Sequence, residues 1–180
     1  MLIRTQRSDD WPAARRLLTE AFADHGEVAA LAGALHARDD RPRDCALVAE
    51  CDGQVVGHVQ LSKAWIDAAP ALVDALVLSP LGVAPDHQRC GVGRALCEAA
   101  VAHAQHLQAP AIFLEGDPGY YGRLGWQRAS DRGFTAPSVR IPEPGFQVAL
   151  LPSWQPWMVG AVVYNDTFWA LDFVGLRPAP

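Results

Sequence analysis

The sequence predicts an α/β fold in one domain over residues 1–180. Strand-like apolar runs alternate with amphipathic helical patterns, and a glycine-bearing loop joins a strand directly to a long helix. Hydrophobic residues make up 50% of the chain, which is enough for a substantial core. Since domains commonly contain about 100–200 residues, we expect a single domain.

The N-terminal half predicts one strand, two helices and a hairpin. The first helix has candidate capping residues and an early proline. The hairpin strands flank an Asp-Gly pair, which favours a two-residue turn. In chain order, the predicted elements are a strand at Leu2–Arg4, a helix capped by Ser8 or Asp9 and ending near Ala23, a helix at about Glu27–Ala37, a charged loop at 39–44, and strands at Ala46–Cys51 and Gln54–Ser62.

The C-terminal half predicts two further helices and four strands. A helical crossover joins the central strand to the next one, so this pair should run parallel. The predicted elements are the central strand Ala75–Val83, a helix at Cys90–Gln108, a strand at Ala111–Leu114, a short helix at Pro118–Leu124, a loop at Ala129–Gly145, and strands at Phe146–Leu151 and Met158–Tyr164. The predicted apolar face of the long helix is Val92, Leu96, Ala99, Ala100, His103 and Leu107.

The loop Gln88–Arg94, between the central strand and the long helix, is the most informative segment. Free N–H groups and a macrodipole of about half a positive charge make a helix N-terminus an anion site. Gly91 and Gly93 lack a Cβ atom, so a phosphate can approach the backbone closely. Arg89 and Arg94 add positive charge. The segment therefore predicts a pyrophosphate-binding loop.

Two other phosphate-binding loops do not fit this spacing. A dinucleotide-binding fingerprint has Gly-x-Gly-x-x-Gly after the first strand, whereas this loop reads Gln-x-x-Gly-x-Gly in the middle of the chain. A P-loop ends in Gly-Lys-Ser/Thr, which is missing from this segment. The sequence thus excludes both of these nucleotide-binding classes.

The pattern Gln88-x-x-Gly91-x-Gly93 resembles the coenzyme A loop of the GNAT superfamily of N-acetyltransferases. The segment Leu114–Trp126 resembles the family's aromatic-Tyr-x-x-x-Gly-aromatic landmark, in a form similar to the YhbS-like branch of predicted acetyltransferases. The resemblance covers nearly the whole chain in element order. It implies a GNAT fold, with a mixed, mostly antiparallel sheet, helices on both faces, and a central parallel strand pair splayed to hold coenzyme A.

The same resemblance implies acetyl-CoA as the cofactor. In the family, the pantetheine arm pairs with the end of the central strand, where a backbone N–H can polarise the thioester carbonyl. The residues implied to bind the cofactor are Leu81, Gly82, Val83, Gln88, Arg89, Cys90, Gly91, Val92, Gly93 and Arg94.

Tyr121 matches the family tyrosine near the thioester sulfur, where its phenol would protonate the departing thiolate; the alternative is that it fills the core. Val77 occupies the position of the family glutamate, so the base comes from elsewhere or from water, or is not needed. Glu115 is the first candidate base, followed by Asp117 and His58. Alternatively, either carboxylate caps the short helix, and His58 is a strand surface residue.

The resemblance implies an enzyme that transfers an acetyl group from acetyl-CoA to a primary amine of a small molecule or protein, by direct attack in a ternary complex. A catalytically weak acyl-CoA-binding sensor or regulatory module is the first alternative. A scaffold with a vestigial cofactor loop is the second. The sequence names neither the acceptor nor the preferred acyl chain.

Composition limits the binding partners and the cellular location that we expect. The net charge of -5 disfavours a nucleic-acid partner. There is no apolar run of the roughly 18 residues that a membrane span needs, and no N-terminal signal core. The four cysteines lack zinc-like spacing, so we expect no metal, reduced thiols and a cytoplasmic location. Dimers are common in the family, which leaves a homodimer open.

Overall fold

A computed structural model describes residues 1–23, 25–38 and 45–177, and the charged loop expected at 39–44 lies outside the described residues. The helices and strands, in chain order, are β1 (Leu2–Thr5), α1 (Trp11–Ala21), α2 (Glu27–His36), β2 (Ala46–Cys51), β3 (Gln54–Ala68), β4 (Leu72–Val83), α3 (Val92–His106), β5 (Ala111–Glu115), α4 (Pro118–Tyr121), β6 (Gln127–Arg128), β7 (Phe134–Thr135), β8 (Phe146–Leu150), β9 (Gly160–Tyr164) and α5 (Asp166–Ala170).

The strands form a mixed sheet in which most neighbours run antiparallel. Hydrogen-bonded neighbours follow the order β1-β2-β3-β4-β5-β8-β6, and β9 pairs with both β3 and β7. The pairs β4–β5 and β7–β9 are parallel. The pairs β1–β2, β2–β3, β3–β9, β5–β8 and β6–β8 are antiparallel. The predicted mixed sheet with a parallel central pair is confirmed.

The chain divides into two compact units. The first contains Met1–Ser62 and Leu78–Ala102, and the second contains Lys63–Val77 and His103–Pro180. Three elements, β3, β4 and α3, therefore begin in one unit and end in the other. The assignment of the chain to a single domain stays a prediction.

Helices cover both faces of the sheet in the first unit, as two neighbouring residues of β3 show. A Cβ atom at Gly57 would meet Leu96 Cδ1 at 2.8 Å and Val92 Cγ1 at 2.9 Å, both on α3. The ring of Trp11 on α1 packs edge-on against His58, with 6.4 Å between ring centroids. Because successive strand residues point to opposite faces, α1 and α3 lie on opposite faces of the sheet.

Aromatic side chains form much of the core of the second unit. Phe113 on β5 stacks on Phe146 of β8 at 5.6 Å between centroids and meets Phe134 of β7 edge-on at 5.0 Å. Tyr164 at the end of β9 packs against Phe168 of α5 at 4.9 Å. These contacts fix the C-terminal ends of β5 and β9, which carry two polar side chains of the candidate site.

The prediction that Ser8 or Asp9 caps the first helix is wrong. A 3-10 turn spans Ser8–Asp10, and α1 follows it. The Asp10 carboxylate accepts the Arg7 N–H at 2.6 Å and pairs with the Arg4 guanidinium at 2.6 Å. The side chain of Asp10 thus joins β1 to the start of α1, and this contact with a preceding strand has no local sequence signal.

The predicted buried face of α3 needs correction at its C-terminal end. Cys97 and Ala104 are buried, whereas Ala99 and His103 are only half-buried. Leu107 is 36% exposed, because α3 ends at His106 and the chain turns away there. The helix also begins at Val92 rather than Cys90, so the glycine loop precedes it.

Elsewhere the structure lengthens strands and adds short elements. β3 extends to Ala68 and β4 begins at Leu72, which makes this hairpin longer than predicted. The predicted loop Ala129–Gly145 contains β7, which only its pairing with β9 reveals. The prediction also missed α5, although Asn165 caps it by accepting the Thr167 N–H at 3.1 Å.

Candidate functional site

The predicted pyrophosphate loop leads into the N-terminus of α3. The Ala95 N–H donates to the Gly91 carbonyl at 3.0 Å, so the N–H groups of Val92–Arg94 lie in the open first turn. Gly91 has a φ of 85° and Arg89 a φ of 59°, both in the left-handed region. Gln88–Gly91 are exposed. The loop therefore presents backbone donors at a surface that an anion can reach.

Two side chains hold this loop in place. Gln88 Nε2 donates to the Val83 carbonyl at 3.2 Å, which ties the loop to the end of β4. Val92 is 4% exposed and packs toward the backbone of Gly57 on β3. Both side chains are thus engaged within the protein, and the loop offers a ligand mainly its backbone.

The charged side chains of the loop differ in their pairing. Arg94 Nε donates to Glu98 Oε1 at 2.7 Å, and this hydrogen bond raises the pKa of Arg94. The pair is exposed, and exposed i,i+4 pairs contribute little stability. A phosphate can therefore compete for the guanidinium. The neighbouring Cys90 is an exposed free thiol.

The end of β4 packs against α1. Gly82 is buried, and a Cβ atom there would meet Leu18 Cδ2 at 2.7 Å. Leu81 and Val83, whose side chains alternate with this position, are half-buried. Glycine is required at 82 because α1 packs directly against the strand.

The parallel pair β4–β5 is short. Its register is Leu76↔Ile112 and Val77↔Phe113, and β4 passes into the first unit directly after Val77. Val77 is 1% exposed. The position of the family glutamate is thus an apolar core position in this chain.

Glu115, the last residue of β5, has the electrostatic character of a base. Desolvation by surrounding protein atoms raises its pKa to about 7, and the neighbouring Tyr164 hydroxyl partly opposes this rise. The side chain is nevertheless exposed by surface area. Its carboxylate is therefore within reach of a substrate while protein surrounds it on most sides.

Tyr164 is a polar residue of this region that sequence reasoning missed. It is 1% exposed, and its hydroxyl has no hydrogen-bond partner of normal geometry in the described protein. Burial and the neighbouring Glu115 carboxylate both raise its pKa. A tyrosine at the end of an apolar strand is typical of a core residue. The local sequence pattern therefore does not indicate that it lies near a carboxylate on another strand.

Tyr121 lies on α4, next to the end of β5. Its ring occupies the space that a Cβ atom at Gly116 would need. It also meets Trp126 edge-on at 5.9 Å and Tyr120 at 4.9 Å between centroids. The ring is only half-buried. Tyr121 therefore packs beside the residue that follows Glu115 without being enclosed in the core.

The other two candidate bases are Asp117 and His58. Asp117 caps α4, because its Oδ1 accepts the Gly119 N–H at 2.8 Å. His58 is fully buried, so the alternative that it is a strand surface residue is wrong. Burial lowers its pKa to about 3, with a smaller contribution from the charge of His36, so His58 is a weak base.

A separate cavity of about 680 Å³ opens in the first unit. It lies against α1, the β2–β3 turn and the segment after β4, and none of the predicted site residues lines it. Its acidic side chains are Asp9, Asp10, Glu20 and Asp86. Among residues 1–23, 25–38 and 45–177, no three His, Cys, Asp or Glu side chains are grouped to hold a metal ion. No helix in that part of the chain has both the length and the apolarity of a membrane span.

A mixed sheet covered by helices on both faces, with a glycine loop opening the helix after the central strand, defines an acyltransferase of the α/β class. The chain belongs to the acetyltransferase (GNAT) family, whose model matches residues 8–126. The family and the fold expected from the two sequence motifs are confirmed.

Similar proteins agree with this assignment. The chain is 32% identical over 130 residues to the uncharacterized N-acetyltransferase YjhQ of Escherichia coli (strain K12), covering 72% of this chain and 71% of that protein. The GNAT family N-acetyltransferase YhbS from Escherichia coli, solved with CoA, matches with a TM-score of 0.83 and 26% identity, covering 99% of this chain and 95% of that one. A GNAT family acetyltransferase from Brucella melitensis, solved with acetyl-CoA, matches with a TM-score of 0.73 and 27% identity, covering 93% and 97%.

Proposed function

We propose that this protein is an acetyl-CoA-dependent N-acetyltransferase that acetylates a primary amine of a small molecule or a protein by direct attack in a ternary complex. The observation that carries the proposal is the exposed glycine loop that leads into α3, in a chain of the GNAT family. Two similar structures contain CoA or acetyl-CoA.

The residues proposed to bind the cofactor contribute either backbone N–H groups or side chains. In our proposal the backbone N–H groups of Gly91–Arg94 bind the pyrophosphate, with Arg89 and Cys90 bordering it. The donors at the open end of α3 support this assignment, since they suit a diphosphate. Gln88 holds the loop against β4. Leu81–Val83 bind the pantetheine arm and polarise the thioester carbonyl through a backbone N–H.

Acetyl-CoA supplies the acetyl group in activated form, and two side chains move the protons. Glu115 accepts a proton from the attacking amine, and a pKa of about 7 suits a base that works near neutral pH. The Tyr164 hydroxyl neighbours this carboxylate and lowers its pKa, which keeps part of Glu115 ionised. Tyr121 donates a proton to the departing thiolate.

Calorimetric titration with acetyl-CoA and then with free CoA tests the cofactor assignment. We expect micromolar binding that Gly93→Glu abolishes, because the added carboxylate blocks and repels the pyrophosphate. Gly26→Glu is the matched control, since no atom of the described residues lies within 4 Å of a Cβ built at Gly26. If the wild-type protein fails to bind, or if Gly93→Glu binds normally, the assignment is wrong.

We also propose a cytoplasmic location and a homodimer. The four cysteines are free thiols, as expected in a reducing compartment. Cell fractionation tests the location, and light scattering at micromolar concentration tests the dimer that the family resemblance implies.

A further inference from the structure

Three polar side chains on β3 are buried without a hydrogen-bond partner. His58, Gln60 and Ser62 are 0%, 1% and 4% exposed. Both ring nitrogens of His58, both amide atoms of Gln60 and Ser62 Oγ make no hydrogen bond to the described protein. As alternate residues of one strand, they point to the same face of the sheet. We call these three side chains the β3 polar row.

The row is costly for the fold. Most buried polar side chains have a hydrogen-bond partner. A buried polar group without one destabilises the folded state, because it loses the hydrogen bonds to water that it makes in the unfolded chain. Apolar residues of similar size would fill the same face without this cost. Three alternate positions that break this rule indicate that the row meets a polar group that the described residues do not supply.

The row faces α1 and runs toward the end of β4. Ala84 N–H donates to the Val56 carbonyl at 2.9 Å, and a short turn joins β3 to β4, so the strands are antiparallel. His58, two residues after Val56, therefore comes beside Gly82. Gly82 also faces α1, as its approach to Leu18 shows. The row thus begins beside the segment proposed to bind the thioester.

The chemistry of the row favours an uncharged partner. Burial keeps the imidazole of His58 neutral, and Gln60 and Ser62 carry no charge. Each of the three side chains can both donate and accept a hydrogen bond. A buried row without a carboxylate or a cation does not compensate the desolvation of a full charge. Hydroxyl and carboxamide groups match both its polarity and its neutrality.

We propose that the β3 polar row binds a hydroxyl or carboxamide group of the acyl acceptor and holds the acceptor beside the thioester segment of β4. The inference rests on the proposed function and adds the class of acceptor. The row is closed to solvent in this structure, so an acceptor can reach it only if the side chains packed over it open. Trp11 is one such side chain at His58 and is stacked on His36 at 4.3 Å between centroids.

Thermal unfolding without acceptor is the first test. Gln60→Leu and Ser62→Ala should raise the melting temperature, because each removes an unpaired buried polar group. Asn165→Leu is the matched control. Asn165 is equally buried, but its amide donates to the Lys63 carbonyl at 2.9 Å and accepts from Thr167, so its replacement should lower the melting temperature. A lower melting temperature in both row variants would show that the row has partners within the protein.

Acceptor selectivity is the second test, with amines paired by size: ethanolamine against propylamine, and 4-aminobutanamide against hexylamine. Thiol release from acetyl-CoA gives kcat/KM per neutral amine. We expect the wild-type protein to favour the polar member by roughly tenfold, as expected for a site built to hydrogen-bond its substrate, and both row variants to lose the preference. Calorimetry should show unchanged acetyl-CoA binding in the variants.

The two tests separate this inference from the proposed function. A wild-type protein that does not bind acetyl-CoA would overturn the proposed function itself. If acetyl-CoA binds and the protein acetylates other primary amines, the inference about the row fails when neither member of a pair is acetylated. It also fails when the wild-type protein acetylates both equally, or when Gln60→Leu and Ser62→Ala keep the wild-type preference.

Discussion

The raised pKa of Glu115 predicts a pH dependence of the reaction. A base acts only in its ionised form, and the folded protein holds the pKa of Glu115 at about 7, above its ordinary value of 4.5. About a tenth of the carboxylates are then ionised at pH 6 and about nine-tenths at pH 8. The rate of the wild-type protein should therefore rise roughly ninefold between these values.

The assay must separate this ionisation from that of the acceptor, since the amine also loses a proton as pH rises. We would measure thiol release at low acceptor concentration from pH 5 to 9 and divide kcat/KM by the neutral fraction of the amine. The corrected profile should have one acidic limb near pH 7. Glu115→Gln should remove the limb and reduce the plateau by about 10²–10⁴.

A Tyr164 variant tests the direction in which the acidic limb of the pH profile shifts. The Tyr164 hydroxyl lowers the pKa of Glu115, so Tyr164→Phe should move the acidic limb to higher pH. Asp117→Asn is the control on the neighbouring carboxylate, because asparagine also caps helices well and should leave the limb in place. A limb that persists in Glu115→Gln would assign the base to another group. A limb that moves to lower pH in Tyr164→Phe would refute the role of its hydroxyl.

Three further predictions concern other parts of the chain. Tyr121→Phe should reduce turnover by about 10²-fold while calorimetry shows unchanged acetyl-CoA binding; unchanged turnover would favour a sensor or a core role. Gly57→Ala should lower the free energy of unfolding in urea by about 1–3 kcal/mol, because the added Cβ meets Leu96 Cδ1 at 2.8 Å, whereas Gly26→Ala meets no atom of the described residues within 4 Å. His58 binds its proton more weakly in the folded chain, so stability should be lost as pH falls from 6.5 toward 3. The folded-to-unfolded ratio should fall by up to about tenfold per pH unit, and His58→Leu should flatten this slope.

The cofactor loop could be predicted from sequence because its parts are contiguous. The end of a strand, the glycines of the loop and the first turn of α3 follow each other within Val83–Arg94, so their spacing alone carries the geometry. The spacing does not show why glycine is needed at each position. Gly91 adopts a positive φ in open space, whereas Gly82 is needed for the approach of Leu18 on α1. The requirement for glycine at position 82 depends on packing between elements that are distant in the chain.

The polar groups of the candidate site depend on such distant contacts throughout. Glu115 and Tyr164 come from different strands, and neither alternation nor composition indicates that they meet. The choice between Glu115 and Asp117 was also open in the sequence, since both precede the short helix. The structure distinguishes them because Asp117 reaches the Gly119 N–H, whereas the environment of Glu115 raises its pKa.

Val77 is an apolar residue at the position where the family carries a glutamate. Val77 is buried in the parallel pair, opposite Phe113, where an ionised carboxylate would lose its hydration without gaining a partner. Glu115 follows Phe113 by two residues on the partner strand and remains exposed. A carboxylate at the end of β5 keeps access to substrate while the surrounding protein raises its pKa toward neutrality. If Glu115 is the base, the catalytic carboxylate lies at the end of β5 and not on β4, where Val77 is part of the core.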